Sequence, residues 1–225
     1  MKIINFLKLI ALLLICVVVQ GCATRVPFNY AAFKESKPKS ILVLPPINNS
    51  PDVTASYSVL SQVTHPLAES GYYVMPVSLV AEAFKENGLT QPTEMHATSM
   101  EKLREIFGAD AALYITVTKF GPVYTVLNSE TLVAVQARLV DLKNGKTLWT
   151  GAAQASSAEG EQQQQGGLAA VLIAAVVKQV LASTFDQSHK YAGVASERLL
   201  NAGTPGRRDG ILFGPRSPNY GKDQQ

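Results

Sequence analysis

The sequence predicts an α/β protein: a mixed sheet of about five strands, helices packed on it, and a long C-terminal helix. Three observations carry this reading. Residues 40–44 (Ser-Ile-Leu-Val-Leu) form an apolar run stopped by Pro45 and Pro46, the pattern of a buried central strand. Residues 111–120 alternate Leu113, Ile115 and Val117 with Tyr114, Thr116 and Thr118, the period of a strand with two unlike faces. Asn144-Gly145 joins two further strand-like segments, 132–142 and 146–155, and is a strong hairpin signal.

The remaining elements follow in order. Asn48 to Asp52 make a turn-rich loop. Residues 54–70 are expected to be one helix, kinked or shortened at Pro66 and stopped by Gly71, with Tyr57, Leu60, Val63 and Leu67 at helical spacing. Residues 72–75 form a short strand. Ser78 opens a helix running to Asn87-Gly88, with Leu79, Ala83 and Phe84 inward. Ser99 caps another, with Leu103, Ile106 and Phe107 apolar and Gly108 at its end. Residues 158–167 are polar and Gln-rich and read as a mobile loop. Residues 168–200 read as one long helix or two. The first crossover is long enough for a parallel strand pair, and the last three strands form a meander.

The amino terminus has another logic. Lys2 and Lys8 are followed by an uncharged stretch, 10–19, too short to span a bilayer as a helix. Val19-Gln20-Gly21-Cys22 then places an aliphatic residue three before a cysteine and a glycine one before it. Residues 1–22 thus resemble a bacterial lipoprotein signal, with Val19 and Gly21 read by the processing machinery. The resemblance implies diacylglycerol on Cys22, cleavage before it and acylation of the new amine, which together give stable anchoring. Gln20 departs from the usual small residue at the most tolerant position. Ala23 follows the cysteine where such signals carry Asp for inner-membrane retention, so the expected destination is the outer membrane, facing the periplasm.

The expected organisation is a cleaved signal at 1–21, a lipidated tether at 22–36, an α/β domain at 37–202 and a flexible tail at 203–225. The tail assignment rests on its five Gly and three Pro. Cleavage removes two lysines and no acids, leaving 225 less 21, or 204, residues and a formal charge of +1. That balance argues against nucleic acid as a partner. Cys16 leaves with the signal and Cys22 is acylated, so no disulfide forms within the mature chain.

Chemistry-bearing motifs are sparse. His65, His96 and His189 have no partner at a metal-ligand spacing. Gly145-Lys146-Thr147 resembles the end of a phosphate loop, but Val140 stands where that motif needs Gly, and the context is a hairpin. No serine sits in a G-x-S-x-G elbow, and Asp110, Glu130 and Asp141 form no recognisable pair. Neither a metal, a cofactor nor a catalytic residue is expected.

If Asn144-Gly145 is a two-residue turn, Lys143 faces Lys146 and Val140 faces Trp149. Gln136, Arg138, Val140, Leu142 and Trp149 then share one face. Val135, Ala137, Leu139 and Leu148 share the other, which is small, apolar and fit to be covered by helices. Trp149 is either shielded by the chain's own tail or by Arg138, or it is part of a protein-binding patch with Arg138 and Val140. The all-round apolar run 168–177 is either core or exposed for an oligomer or lipid.

Three blocks carry a family resemblance: residues 41–50 (Ile-Leu-Val-Leu-Pro-Pro-Ile-Asn-Asn-Ser), 108–116 (Gly-Ala-Asp-Ala-Ala-Leu-Tyr-Ile-Thr) and 137–149 (Ala-Arg-Leu-Val-Asp-Leu-Lys-Asn-Gly-Lys-Thr-Leu-Trp). The chain resembles a family of bacterial lipoproteins of unknown function. These are similar in layout to the periplasmic part of the curli secretion channel lipoprotein and to the TolB amino-terminal domain. The resemblance implies an outer-membrane lipoprotein, often encoded beside a curli-channel-like lipoprotein, with no catalytic residues to carry over. The expected role is a non-enzymatic accessory or scaffold subunit of an envelope assembly or secretion complex. Its partners would be the bilayer, an envelope protein such as the curli-channel-like lipoprotein, or another copy. The alternative is a periplasmic enzyme or ligand-binding protein whose site forms only in three dimensions.

Overall fold

The computed structural model describes residues 28–124, 129–160, 184–204, 207 and 209–222. Cys22, Val19, Gly21 and the 168–177 run lie outside the described residues. Among the described residues six strands form one mixed sheet: β1 (Ser40–Val43), β2 (Ile47–Asn48), β3 (Tyr73–Val74), β4 (Ala111–Tyr124), β5 (Ser129–Asp141) and β6 (Thr147–Ser156). The order is β3-β1-β4-β5-β6, with β2 also paired to β4. The first three strands pair in parallel and β4, β5 and β6 form an antiparallel meander.

The prolines explain why β1 and β2 are separate strands on one edge of β4. Leu44 N–H donates to the Leu113 carbonyl (3.1 Å), and Asn49 N–H resumes the ladder to Val117 (2.8 Å). Pro45 and Pro46 between them have no N–H to give. Asp110 fastens the start of β1. Its Oδ2 accepts from Lys39 N–H (2.9 Å), Ser40 N–H (3.0 Å) and Ser40 Oγ–H (3.1 Å).

Helices cover the two faces unequally. On one face lie α2 (Ala55–Gln62), α3 (Thr64–Glu69) and α7 (Thr184–Leu200), over a core that includes Ile41, Val43, Leu113, Ile115, Val135 and Leu139. On the other lie α4 (Val77–Glu86), α5 (Pro92–His96) and α6 (Met100–Phe107), over Leu42, Leu44, Ala112, Val140 and Leu142. The single helix expected over 54–70 is two, because Pro66 cannot donate to Gln62 and its ring crowds that carbonyl, so the break falls at Val63. Ser78 lies inside α4, and Val80 and Phe84 rather than Leu79 face inward. Ser99 does cap α6, accepting from Lys102 N–H, and Gly108 closes it in the left-handed region (φ 64°). Among the described residues no helix is long and apolar enough to cross a membrane.

Both ends of the described chain are packed, which corrects two expectations. Residues 28–36 are not a tether: Phe28, Tyr30 and Phe33 pack in series through tilted and edge-on ring contacts, and Phe33 is buried in α1 (Ala31–Ser36). Nor is the segment after 203 a loose tail. Ile211 and Leu212 are buried, Gly214 N–H donates to Ser70 (2.7 Å) and Arg216 N–H to Gly71 (3.1 Å). The glycine content that suggested looseness instead permits contact. Gly71 (φ 93°) and Gly214 lie backbone to backbone, and a Cβ on either would overlap the other strip. Tyr30 Oη–H reaches the Gly210 carbonyl and Tyr72 Oη–H the Leu212 carbonyl, each at 2.5 Å.

Candidate functional site

The hairpin register decides what the meander exposes. The β5–β6 connection is longer than two residues: Asp141 N–H donates to Lys146 and Gly145 N–H to Asp141, both at 2.9 Å. Buried Asp141 holds the turn through Lys143 N–H (2.6 Å), and Asn144 Oδ1 accepts from Lys146 N–H (2.9 Å). A bulge follows, so Val140 opposes Thr147 while Leu139 opposes Trp149. This one-residue shift reverses the expected placement of the tryptophan.

Trp149 is fully buried in the α7-side core. Its Nε1–H donates to the Asp209 carbonyl (2.9 Å), and its ring lies across Gly151, where a Cβ would collide with it. The tryptophan is shielded by the C-terminal segment, the alternative left open in the sequence. Val140 lies on the opposite face, buried under the α4–α6 layer. Of the expected patch only Arg138 is exposed, so Arg138, Val140 and Trp149 do not form one surface.

Arg138 belongs to a different group. Tyr114 opposes it across β4–β5, and Thr116 opposes Gln136. The short helix α5 brings His96 over the same spot. Among the described residues, these line with Ile47 and Thr150 an open groove of about 710 Å³ on the half of the face beyond the α4–α6 layer. The Arg138 guanidinium lies over the Tyr114 ring at 5.0 Å from its centroid, and the His96 ring meets Tyr114 edge-on at 5.2 Å. The His96 Nε2–H donates to the Pro45 carbonyl (2.9 Å), tying α5 to the β1–β2 break.

Burial, assisted by the Arg138 charge, lowers the His96 pKa against the opposing pull of its bond to Pro45. Burial raises the Tyr114 pKa while Arg138 lowers it. At neutral pH the platform is a neutral imidazole, a neutral phenol and one guanidinium. Such a surface suits recognition of a planar or anionic group. The other histidines are elsewhere: His65 lies 3.9 Å from Glu197, and His189 bonds Gln62 (2.8 Å). Among the described residues no three His, Cys, Asp or Glu converge on a point where they could hold a metal. The legible signal for the groove was the shared alternation of 111–120 and 132–142, which puts Tyr114 and Arg138 on one face. The position of His96 had no local signal.

A model of the family Putative lipoprotein GNA1162-like matches residues 28–216. The chain belongs to that family. The match takes in the Phe28–Phe33 aromatic series at one end and the docked 211–214 strip at the other. Putative lipoprotein NMB1124/NMB1162 of Neisseria meningitidis serogroup B is 49% identical over 189 residues, 84% of this chain and 86% of that one. The crystal structure of lipoprotein GNA1162 from Neisseria meningitidis is 47% identical, with a TM-score of 0.50, covering 65% of this chain and 100% of that one. A PelC dodecamer from Paraburkholderia phytofirmans matches at 14% identity and a TM-score of 0.41, over 73% of this chain and 89% of that one, a likeness too remote to carry function. The expected membership of a lipoprotein family holds.

Proposed function

We propose that this chain is an outer-membrane lipoprotein, anchored through acylated Cys22 and facing the periplasm, that acts as a non-enzymatic accessory or scaffold subunit of an envelope assembly or secretion complex. The observation that carries the reading is the half of the sheet face beyond the α4–α6 layer, where Arg138 stacks on Tyr114 in an open groove. Arg and Tyr are the residue types that anchor protein interfaces, and a groove open along its length admits a protein segment. The Val19-Gln20-Gly21-Cys22 context and the lipoprotein family support the anchor.

A photo-cross-linking residue at Gln136 or Thr150 of the full-length chain, in intact cells, is expected to trap a discrete envelope protein that a probe at exposed Glu82 on α4 does not. Equal patterns from the groove probes and the α4 probe would remove the groove from the interface. Cys22→Ala is expected to abolish acyl labelling, and persistent labelling would sink the anchor. The groove volume also falls in the range of small-molecule sites. A groove that binds a small periplasmic anion through Arg138 and traps no protein would favour the ligand-binding alternative.

A further inference from the structure

A second cavity, of about 320 Å³, opens beside α1 where the two ends of the described chain meet. Phe33, Tyr72, Leu212 and Tyr220 form its apolar wall, and Lys34 and Lys37 stand at it. Tyr72 Oη–H is committed to the Leu212 carbonyl, so that phenol contributes its ring. The lysines are uncompensated: among the described residues neither has a carboxylate within salt-bridge distance. The neighbouring acids are engaged elsewhere, Glu35 by Lys146 Nζ (3.0 Å) and Asp110 by the start of β1. Lys37 also holds a left-handed conformation (φ 46°), a helix-end position where glycine is the default. A site with an aromatic and aliphatic floor and two ammonium groups has the chemistry of an acyl chain with an anionic head.

The geometry points to an anionic bilayer lipid as the occupant, and we infer that this cavity seats its head and part of one acyl chain. The choice of a bilayer source rests on the proposed anchor at Cys22. Phe28 is six residues beyond that cysteine, a separation that spans at most about 20 Å when fully extended. The α1 cavity therefore lies close to whatever surface holds Cys22. The two lysines and the apolar wall then act together: the head neutralises the cations and the chain covers the rings.

The test uses the mature chain, residues 22–225, with Cys22→Ser, which contains every residue of the fold described above and carries no anchor of its own. Its flotation with phosphatidylglycerol vesicles is compared with phosphatidylcholine vesicles, and binding of free dodecanoate with that of dodecyltrimethylammonium. The expected result is at least tenfold preference for phosphatidylglycerol, abolished by Lys34→Ala with Lys37→Gly and unchanged by Lys85→Ala with Lys102→Ala. Lys37→Gly fits the left-handed position, so an unchanged melting temperature verifies that the variant is folded. Equal flotation with both lipids would overturn the inference. So would a preference that survives the Lys34/Lys37 pair, or one lost with either lysine pair. Binding of dodecanoate without binding of vesicles would overturn the bilayer source. Because this chain lacks Cys22, none of these failures bears on acyl labelling of the wild type.

Discussion

The two faces of the sheet come from the same strands and the same alternation, yet among the described residues only one is closed along its length. Toward α7, β4 and β5 present Leu113, Ile115, Val117, Val133, Val135 and Leu139 without a polar interruption. Toward α4–α6, β4 runs Ala112, Tyr114, Thr116 and β5 runs Val140, Arg138, Gln136. Each changes from apolar to polar where the helices stop. The composition of a strand thus records how far its cover extends, and the half that the described helices leave uncovered offers a surface suited to recognition.

Mutations should separate the two faces. Trp149→Ala on the closed face is expected to cost about 3–5 kcal/mol in denaturant unfolding, since it opens a cavity beneath the Asp209 strip. An unchanged midpoint would mean that the face is not closed there. Deleting 207–225 should cost ~2 kcal/mol or more, the burial of at least one side chain such as Ile211 or Leu212. A truncated chain with wild-type stability would return these residues to the status of a tail. Gly151→Ala should cost about 1–3 kcal/mol, because the added methyl meets the Trp149 ring; paired with Trp149→Ala the penalty should shrink, read by a double-mutant cycle.

Effects on the open face should be smaller. The folded pKa of His96 is depressed, so in the window from its ordinary value near 6.5 downward the unfolded chain binds the extra proton. Stability should fall as pH drops through that window and stay flat above it. His96→Gln should remove this dependence, and a persisting slope would assign it to another group. Arg138→Ala is expected to change the unfolding free energy by less than about 0.5 kcal/mol, as for an exposed residue, while reducing cross-linking from Gln136.

The strand plan was legible because apolar runs and strict alternation are local. Ile41 to Leu44, the 111–120 alternation and the last two strands all stand where they were expected. Register was not legible: Asn144-Gly145 favours a two-residue turn in isolation, but buried Asp141 holds a longer one through Lys143 N–H. That single shift moved Trp149 from the face it was expected to share with Arg138 and Val140 to the opposite one, in the α7-side core. The packed ends were hidden for a related reason. Gly71 read only as a helix stop and Gly214 as part of a loose tail, whereas in three dimensions the two permit close backbone approach. For the groove, Tyr114 and Arg138 could be found from period two, whereas His96 arrives on a short helix whose position depends on Pro45.

The strip from Gly210 to Arg216 also sets an order of events. Tyr30 must wait for a residue 180 positions later, and Tyr72 for one 140 positions later. Until those last residues have been synthesised, the indole of Trp149 has no lid and the α1 side of the core is open. Closure is therefore a late, long-range step, slow by its topology. A chain that stops before Ile211 would expose the same apolar surface indefinitely, giving proteases a direct means of telling incomplete copies from finished ones.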